Sequence, residues 1–131
     1  LHRNPTVREP LREMLGDHPR VVLTEPLDYD RLVAAMRGCT LLLTDSGGLQ
    51  EEAPALGKPV LVLRRTTERP EAVEAGTARL VGTEPSAILE EASRLLDDAD
   101  AYGAMSRAVN PFGDGQASVR ILSLCREHLG V

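Results

Sequence analysis

The chain has 131 residues, enough for one compact domain with its own hydrophobic core. Its 15 basic and 20 acidic residues leave a formal net charge of −5, which excludes a general affinity for nucleic acid or for an anionic membrane surface. No apolar run approaches the roughly 20 residues of a membrane-spanning helix, and no signal-peptide pattern opens the sequence. We therefore expect an unexported, cytoplasmic protein.

Two local features refine this expectation. Cys39 and Cys125 lie in apolar-periodic segments and lack the spacing of metal ligands, so we expect buried free thiols, a reducing compartment and no metal site. The sequence opens with Leu1 instead of Met, and no helix or strand signal follows directly. We therefore expect the chain to be a piece of a longer protein.

Apolar runs and helical patterns alternate along the chain. Four runs that do not alternate with polar residues predict strands covered on both faces, at residues 21–23, 41–43, 60–63 and 78–81. Between and after them, helices are predicted near residues 7–15, 29–37, 85–96, 101–107 and 117–129. This order predicts an α/β fold, a Rossmann-like doubly wound parallel sheet, in a single domain of residues 1–131.

The ends of the predicted helices carry capping signals. Gly16 is expected to end the first helix, and Gly38 to end the second as a left-handed cap. Thr83 is expected to cap the helix near residues 85–96, with Pro85 in its first turn. Its core face is predicted to hold five apolar residues: Ile88, Leu89, Ala92, Leu95 and Leu96.

The segment after the second predicted strand has the composition of an anion site. Ligands of open parallel sheets bind beyond the carboxyl ends of the strands. There, the Ser46 hydroxyl, the amides of Gly47 and Gly48 and the start of a helix could hold a phosphate. Glu52, one turn further, could accept both hydroxyls of a ribose. An alternative stays open, in which Ser46 only caps the helix and the glycines only make a turn.

Two further loops attract attention. Arg64, Arg65 and Arg69 follow the third predicted strand, where one of them could pair with a phosphate or all could belong to a solvated loop. In the turn at residues 110–118, Gly113 and Gly115 are expected to adopt positive φ and to fix the angle between two helices.

Taken together, these segments resemble the signature of the non-hydrolysing UDP-N-acetylglucosamine 2-epimerases. The resemblance covers essentially the whole chain, in order and at the family spacing. The residues that carry it are Thr44-Asp45-Ser46-Gly47-Gly48-Leu49-Gln50-Glu51-Glu52-Ala53-Pro54, Gly57-Lys58-Pro59-Val60-Leu61-Val62, Thr66-Thr67-Glu68-Arg69-Pro70-Glu71, Ala75-Gly76-Thr77, Asn110-Pro111-Phe112-Gly113-Asp114-Gly115, and the opening His2, Asn4-Pro5 and Val7-Arg8-Glu9-Pro10.

This resemblance implies a two-domain fold similar to the glycosyltransferase B class, with this chain as most of the C-terminal, UDP-binding half. It implies the N-terminal domain as partner and a homodimer for the full-length enzyme. Family members interconvert UDP-GlcNAc and UDP-ManNAc by anti elimination of UDP, which gives 2-acetamidoglucal, followed by re-addition of UDP. They need no metal and no nicotinamide cofactor.

The resemblance also implies a role for individual residues. Ser46, Gly47 and Gly48 would hold the diphosphate, and Glu52 the ribose hydroxyls. Arg69 would face the phosphate or the sugar.

Three more positions concern the base and a second ligand. The backbone of Leu27 would read the uracil, and Leu32 stands where many relatives place an aromatic residue against that base. His2 matches a histidine that helps to hold a second, activating UDP-GlcNAc at the domain interface. The acid and base carboxylates and the catalytic histidine of the family would all precede Leu1, so no catalytic residue is expected in this chain, which should be inactive alone.

Three other interpretations remain open on the residues. A nucleotide-sugar glycosyltransferase shares the fold and the glycine-rich loop, but gives no reason for the segment at residues 66–71. A hydrolysing epimerase, which releases UDP and free ManNAc, is a close variant. A stand-alone binding or receiver-type module should show an acidic pocket at the first strand end, and none is visible in the sequence.

Overall fold

The computed structural model describes residues 1–130. Within them, helices and strands alternate from the second helix to the fifth, and no helix of this range is long and apolar enough to cross a membrane. The elements are α1 (Pro5–Leu15), α2 (Tyr29–Gly38), β1 (Leu42–Thr44), α3 (Gly47–Ala55), β2 (Val60–Val62), α4 (Pro70–Glu74), β3 (Ala78–Leu80), α5 (Pro85–Asp97), α6 (Ala99–Ser106) and α7 (Ala117–Leu129).

The chain forms two compact units, Leu1–Ala35 and Met36–Val131, whose boundary falls inside α2. In the first unit, the Asn4 side chain caps α1 by accepting a hydrogen bond from the Thr6 amide at 3.0 Å. The predicted single domain of residues 1–131 is not decided by this division and stays a prediction.

The second unit is built on a parallel sheet of three strands in the order β1-β2-β3. All three residues of β2 are fully buried, because strands flank it on both edges and helices α3 and α5 pack against it. Leu61 of this strand forms the core with Leu95 and Met105, and Leu41, Val81, Ala92 and Ala101 pack around them. The predicted α/β class with a parallel sheet is confirmed.

The strand predicted at residues 21–23 is wrong. The backbone there belongs to no strand, and the Val21 amide donates to the His18 carbonyl at 3.0 Å, which closes a local turn. Val22 is 86% exposed. An apolar run of this length becomes a strand only where a neighbouring ladder takes up its backbone groups, and the run itself carries no information about that neighbour.

Two predicted caps are also wrong. Gly38 is the last residue of α2 and does not adopt positive φ; just beyond it, Lys58 Nζ donates to the Cys39 carbonyl at 2.7 Å, so this end is satisfied by a side chain. Glu84, not Thr83, is the N-cap of α5, because Pro85 is its first helical residue and the cap must precede it directly.

Of the remaining local predictions, one is confirmed and two are partly wrong. Gly113 and Gly115 adopt the predicted positive φ, at 109° and 78°. The two cysteines are free, but the prediction that both are buried is wrong, since Cys39 is half-buried and Cys125 exposed on α7. The predicted core face of α5 is partly wrong as well, because its residues Leu89 and Leu96 are exposed.

We predict that Leu61→Ala lowers the free energy of unfolding by about 2–5 kcal/mol, because it removes a fully buried side chain from the central strand and leaves a cavity. Urea denaturation followed by circular dichroism measures the change. Leu89→Ala is the matched control, since Leu89 is 68% exposed and its truncation should change stability by less than about 0.5 kcal/mol. Equal losses in the two variants would contradict the assignment of the core.

Candidate functional site

Two loops leave the same edge of the sheet. Thr44, the last residue of β1, is in register with Val62, the last residue of β2. Beyond Thr44 the chain turns into α3, and beyond Val62 it forms the loop that leads to α4. Since both strands run in the same direction, these loops lie side by side at the carboxyl edge of the sheet, where ligands of such sheets bind.

The start of α3 presents hydrogen-bond donors that are not used internally. Ser46 is the N-cap, with extended backbone, yet its hydroxyl makes no capping hydrogen bond. The amides of Gly47 and Gly48 in the first turn have no acceptor among residues 1–130. The buried Thr44 hydroxyl accepts from the Ser46 amide at 3.0 Å and fixes this turn. No hydrogen bond therefore supports the alternative in which Ser46 serves only as a cap.

Glu52 lies beside this first turn. A Cβ atom built on Gly48 would lie 4.0 Å from Glu52 Oε1, so the carboxylate lies beside Gly48, one turn away on the same face of the helix. Glu52 Oε2 is buried and accepts no hydrogen bond from the described residues. A buried acceptor without a donor costs about 1–3 kcal/mol, and a hydroxyl supplied by a ligand would remove that cost.

Arg69 is held by acidic and backbone groups of the same site. Its Nε donates to Glu51 of α3, and its Nη1 donates to the Glu68 carbonyl at 3.1 Å. The hydrogen bond that Arg69 donates to Glu51, together with the charge of Glu51, raises the pKa of Arg69 above the ordinary arginine value. The Arg69 side chain is 36% exposed, so it is anchored at Glu51 and still reachable from solvent.

The other two arginines of this loop are also paired. Arg64 Nη1 donates to Glu68 Oε2 at 2.6 Å, and the exposed Arg65 lies 3.7 Å from Glu84. Each arginine of the loop is therefore near a glutamate, of which one lies within the loop, one in α3 and one at the N-cap of α5, so the charges are largely balanced, as the interpretation of a solvated loop requires.

Glu68 places a negative charge next to the glycine turn, the first turn of α3 that contains Gly47 and Gly48. A Cβ atom on Gly47 would lie 2.7 Å from Glu68 Oε1, so a glycine at this position leaves room for the carboxylate. A hydrogen bond from its own backbone amide, then the charge of Arg64, lowers the pKa of the Glu68 carboxyl below its ordinary value. At a pH at which a phosphate is ionised, this carboxylate is ionised as well. An anion at the start of α3 must therefore displace the exposed Glu68 side chain or be held despite its charge.

Gln50 was not among the residues singled out from the sequence. It is fully buried, its Nε2 donates to the Ser46 carbonyl at 3.2 Å, and its Oε1 accepts from the Thr67 hydroxyl at 2.6 Å. It thereby joins the glycine turn to the neighbouring loop. The available signal was its position in α3, one turn before the buried Pro54 and on the same face as Ala53.

The remaining predicted residues belong to the first unit. His2 is exposed, and its Nδ1 accepts from the Asn4 amide at 3.1 Å. Leu27 is 37% exposed and precedes α2. Leu32 is half-buried on that helix. The second unit brings together Ser46, Gly47, Gly48, Glu52 and Arg69.

Comparison with known proteins gives one consistent result. A family model described as UDP-N-acetylglucosamine 2-epimerase matches residues 1–126. The UDP-N-acetylglucosamine 2-epimerase of Escherichia coli (strain K12) is 58% identical over 128 residues, which are 98% of this chain and 34% of that protein. The protein of the same name from Campylobacter jejuni is 48% identical over 124 residues, 95% of this chain and 32% of its own length. The chain spans about a third of the curated relatives that it matches.

Solved structures agree with these relatives. The crystal structure of UDP-GlcNAc 2-epimerase from Neisseria meningitidis bound to UDP-GlcNAc superposes with a TM-score of 0.89 at 48% identity, over 97% of this chain and 35% of that one. The UDP-GlcNAc 2-epimerase from Methanocaldococcus jannaschii gives a TM-score of 0.80 at 32% identity, over 95% and 34% of the two chains.

Proposed function

The chain belongs to the UDP-N-acetylglucosamine 2-epimerase family, and on this basis we propose that it is the UDP-binding part of an enzyme that interconverts UDP-GlcNAc and UDP-ManNAc. The observation that carries the proposal is the start of α3, where the Ser46 hydroxyl and the amides of Gly47 and Gly48 have no internal partner. The first amides of a helix have no partner within that helix, and at the carboxyl edge of a parallel sheet such donors are well placed to bind an anion.

In this proposal the donors act on the leaving group. Elimination of UDP from C1 of the sugar develops negative charge on the β-phosphate, and re-addition reverses it. Amides of Gly47 and Gly48 and the positive end of the α3 dipole, about half an elementary charge, stabilise that charge without a metal ion. The hydroxyl of Ser46 adds a third donor, and Arg69, anchored by Glu51, approaches the phosphate or the sugar with its exposed side.

The nucleoside is held by other residues in the same proposal. Glu52 accepts the ribose hydroxyls, which supply the donor that its buried Oε2 lacks among the described residues. The Leu27 backbone and the Leu32 side chain meet the uracil. His2 contributes to a site for a second, activating UDP-GlcNAc.

The partners also belong to the proposal. We expect this chain to work with the N-terminal domain that relatives of about three times its length carry, and the whole enzyme to be a cytoplasmic homodimer. The two free cysteines support a reducing compartment.

We predict that this chain binds UDP more tightly than UMP, because the second phosphate engages the α3 amides. Ser46→Ala should weaken UDP binding by about 1–2 kcal/mol, the scale of one hydrogen bond to a charged group. Isothermal titration calorimetry of UDP and of UMP measures both effects. Ser86→Ala is the matched control, since Ser86 is an exposed serine in the first turn of α5.

The result can contradict the proposal in two ways. If a folded chain binds UDP and UMP equally, the α3 turn does not hold the second phosphate. If Ser46→Ala and Ser86→Ala behave alike, Ser46 does not belong to the site.

We also predict that the 131 residues alone do not turn over UDP-GlcNAc, because the family's acid, base and catalytic histidine match no residue of this chain. Exchange of the sugar C2 proton in D₂O, followed by NMR, should be absent. It should appear in a hybrid in which this chain replaces the matching third of the Escherichia coli relative. Exchange by the isolated chain, or an inactive folded hybrid, would contradict this assignment.

A further inference from the structure

We propose that Gln50 is a positioning residue that fixes the distance between the glycine turn and the loop around Thr67, so that both loops bind the two phosphates of one ligand. This inference rests on the proposed function, since it concerns how that diphosphate site is assembled. Gln50 touches neither the phosphate nor the sugar in this scheme; it acts through Ser46 and Arg69.

The geometry places one side chain between two loops that are distant in sequence. Gln50 Nε2 donates at 3.2 Å to the carbonyl of Ser46, the residue whose hydroxyl is proposed to bind the ligand. Gln50 Oε1 accepts from the Thr67 hydroxyl at 2.6 Å. The same Thr67 oxygen accepts from the Arg69 amide at 3.0 Å. A continuous chain of hydrogen bonds thus runs from Ser46 to the backbone of Arg69.

An amide side chain serves both ends of this link. It needs a donor toward a carbonyl and an acceptor toward a hydroxyl, and glutamine supplies one of each. A carboxylate would place a second acceptor against the Ser46 carbonyl. An apolar side chain would remove the hydrogen bonds that Gln50 makes with that carbonyl and with the Thr67 hydroxyl. Because Gln50 is fully buried, water cannot replace either partner cheaply.

A second contact joins the same elements, but it is of a different kind. The ion pair of Glu51 with Arg69 is more than one-third exposed on both sides, so solvent and salt weaken it. The Gln50–Thr67 hydrogen bond is neutral and part-buried, with Gln50 itself fully buried, so it depends little on ionic strength. We therefore assign the fixed spacing of the loops to Gln50, and the orientation of the guanidinium to Glu51.

The test compares UDP with UMP in Thr67→Val and Thr67→Ser. The valine has the shape of threonine and lacks the hydroxyl, so UDP affinity should fall about tenfold, as for the loss of one partner of a buried hydrogen bond. UMP has one phosphate and needs only one loop, so its affinity should change less than about twofold. Thr67→Ser keeps the hydroxyl and should restore UDP binding.

Gln50→Met provides the second variant, since it has a similar shape and breaks both hydrogen bonds at once; it should lose the preference for UDP as Thr67→Val does. Gln116→Met, at an exposed position before α7, is its matched control. Circular dichroism and urea denaturation establish the folded fraction of every variant. If Gln50→Met does not fold, the two Thr67 variants decide, because Thr67 is only half-buried.

The outcomes separate the two proposals. Loss of the UDP preference in Thr67→Val with recovery in Thr67→Ser supports the positioning role. The positioning role alone is overturned if the wild-type chain prefers UDP and the variants keep this preference. It is also overturned if the variants bind UDP and UMP more weakly by the same factor. A folded wild-type chain that does not prefer UDP overturns the diphosphate site and, with it, this inference.

Discussion

Burial of β2 determines the arrangement of the second unit. Its backbone forms hydrogen bonds with a parallel strand on either edge, and α3 and α5 cover it, so all three of its side chains are excluded from water. A strand in that position must be apolar throughout, and the residues Val60–Val62 satisfy this. The register that results aligns the ends of β1, β2 and β3 at Thr44, Val62 and Leu80. The loops that carry the candidate site therefore start from one edge because of the core beneath them.

The same reasoning shows which parts of the fold can be predicted from sequence. Residues 60–63 could be predicted as a strand because a fully apolar run is what a doubly covered strand needs. Residues 21–23 have an equally apolar sequence and form no strand, since the outcome depends on whether a neighbouring ladder is present. Similarly, helical spacing placed Leu89 on the core face of α5 together with Leu95, but only Leu95 is buried. Periodicity gives the direction of a helix face, and the width of its contact depends on the partner.

For the candidate site too, the local grouping of residues could be predicted from the sequence, but the contacts between separate elements could not. Ser46, Gly47, Gly48 and Glu52 are close in sequence, and a strand followed by glycines and a helix has few possible geometries, so their grouping around the start of α3 could be expected. The contact of Gln50 with Thr67 joins residues 17 positions apart. The pairing of Glu51 with Arg69 is likewise a contact between elements. Such contacts depend on the distance between two loops, which no local pattern encodes.

The charged side chains around the candidate site largely balance one another. Glu51, Glu52 and Glu68 surround the first turn of α3, and Arg64 and Arg69 are already paired with two of them. A ligand anion therefore meets no excess of positive side chains, and the whole chain is acidic. In the proposed function, most of the attraction therefore comes from the amide dipoles and a hydroxyl, which act over a short range and only in the right direction, while Arg69 adds a charge that Glu51 already partly balances. A site of this kind would select a phosphate by its position instead of its charge alone, so the affinity that we propose for UDP depends on how firmly the two loops are held together.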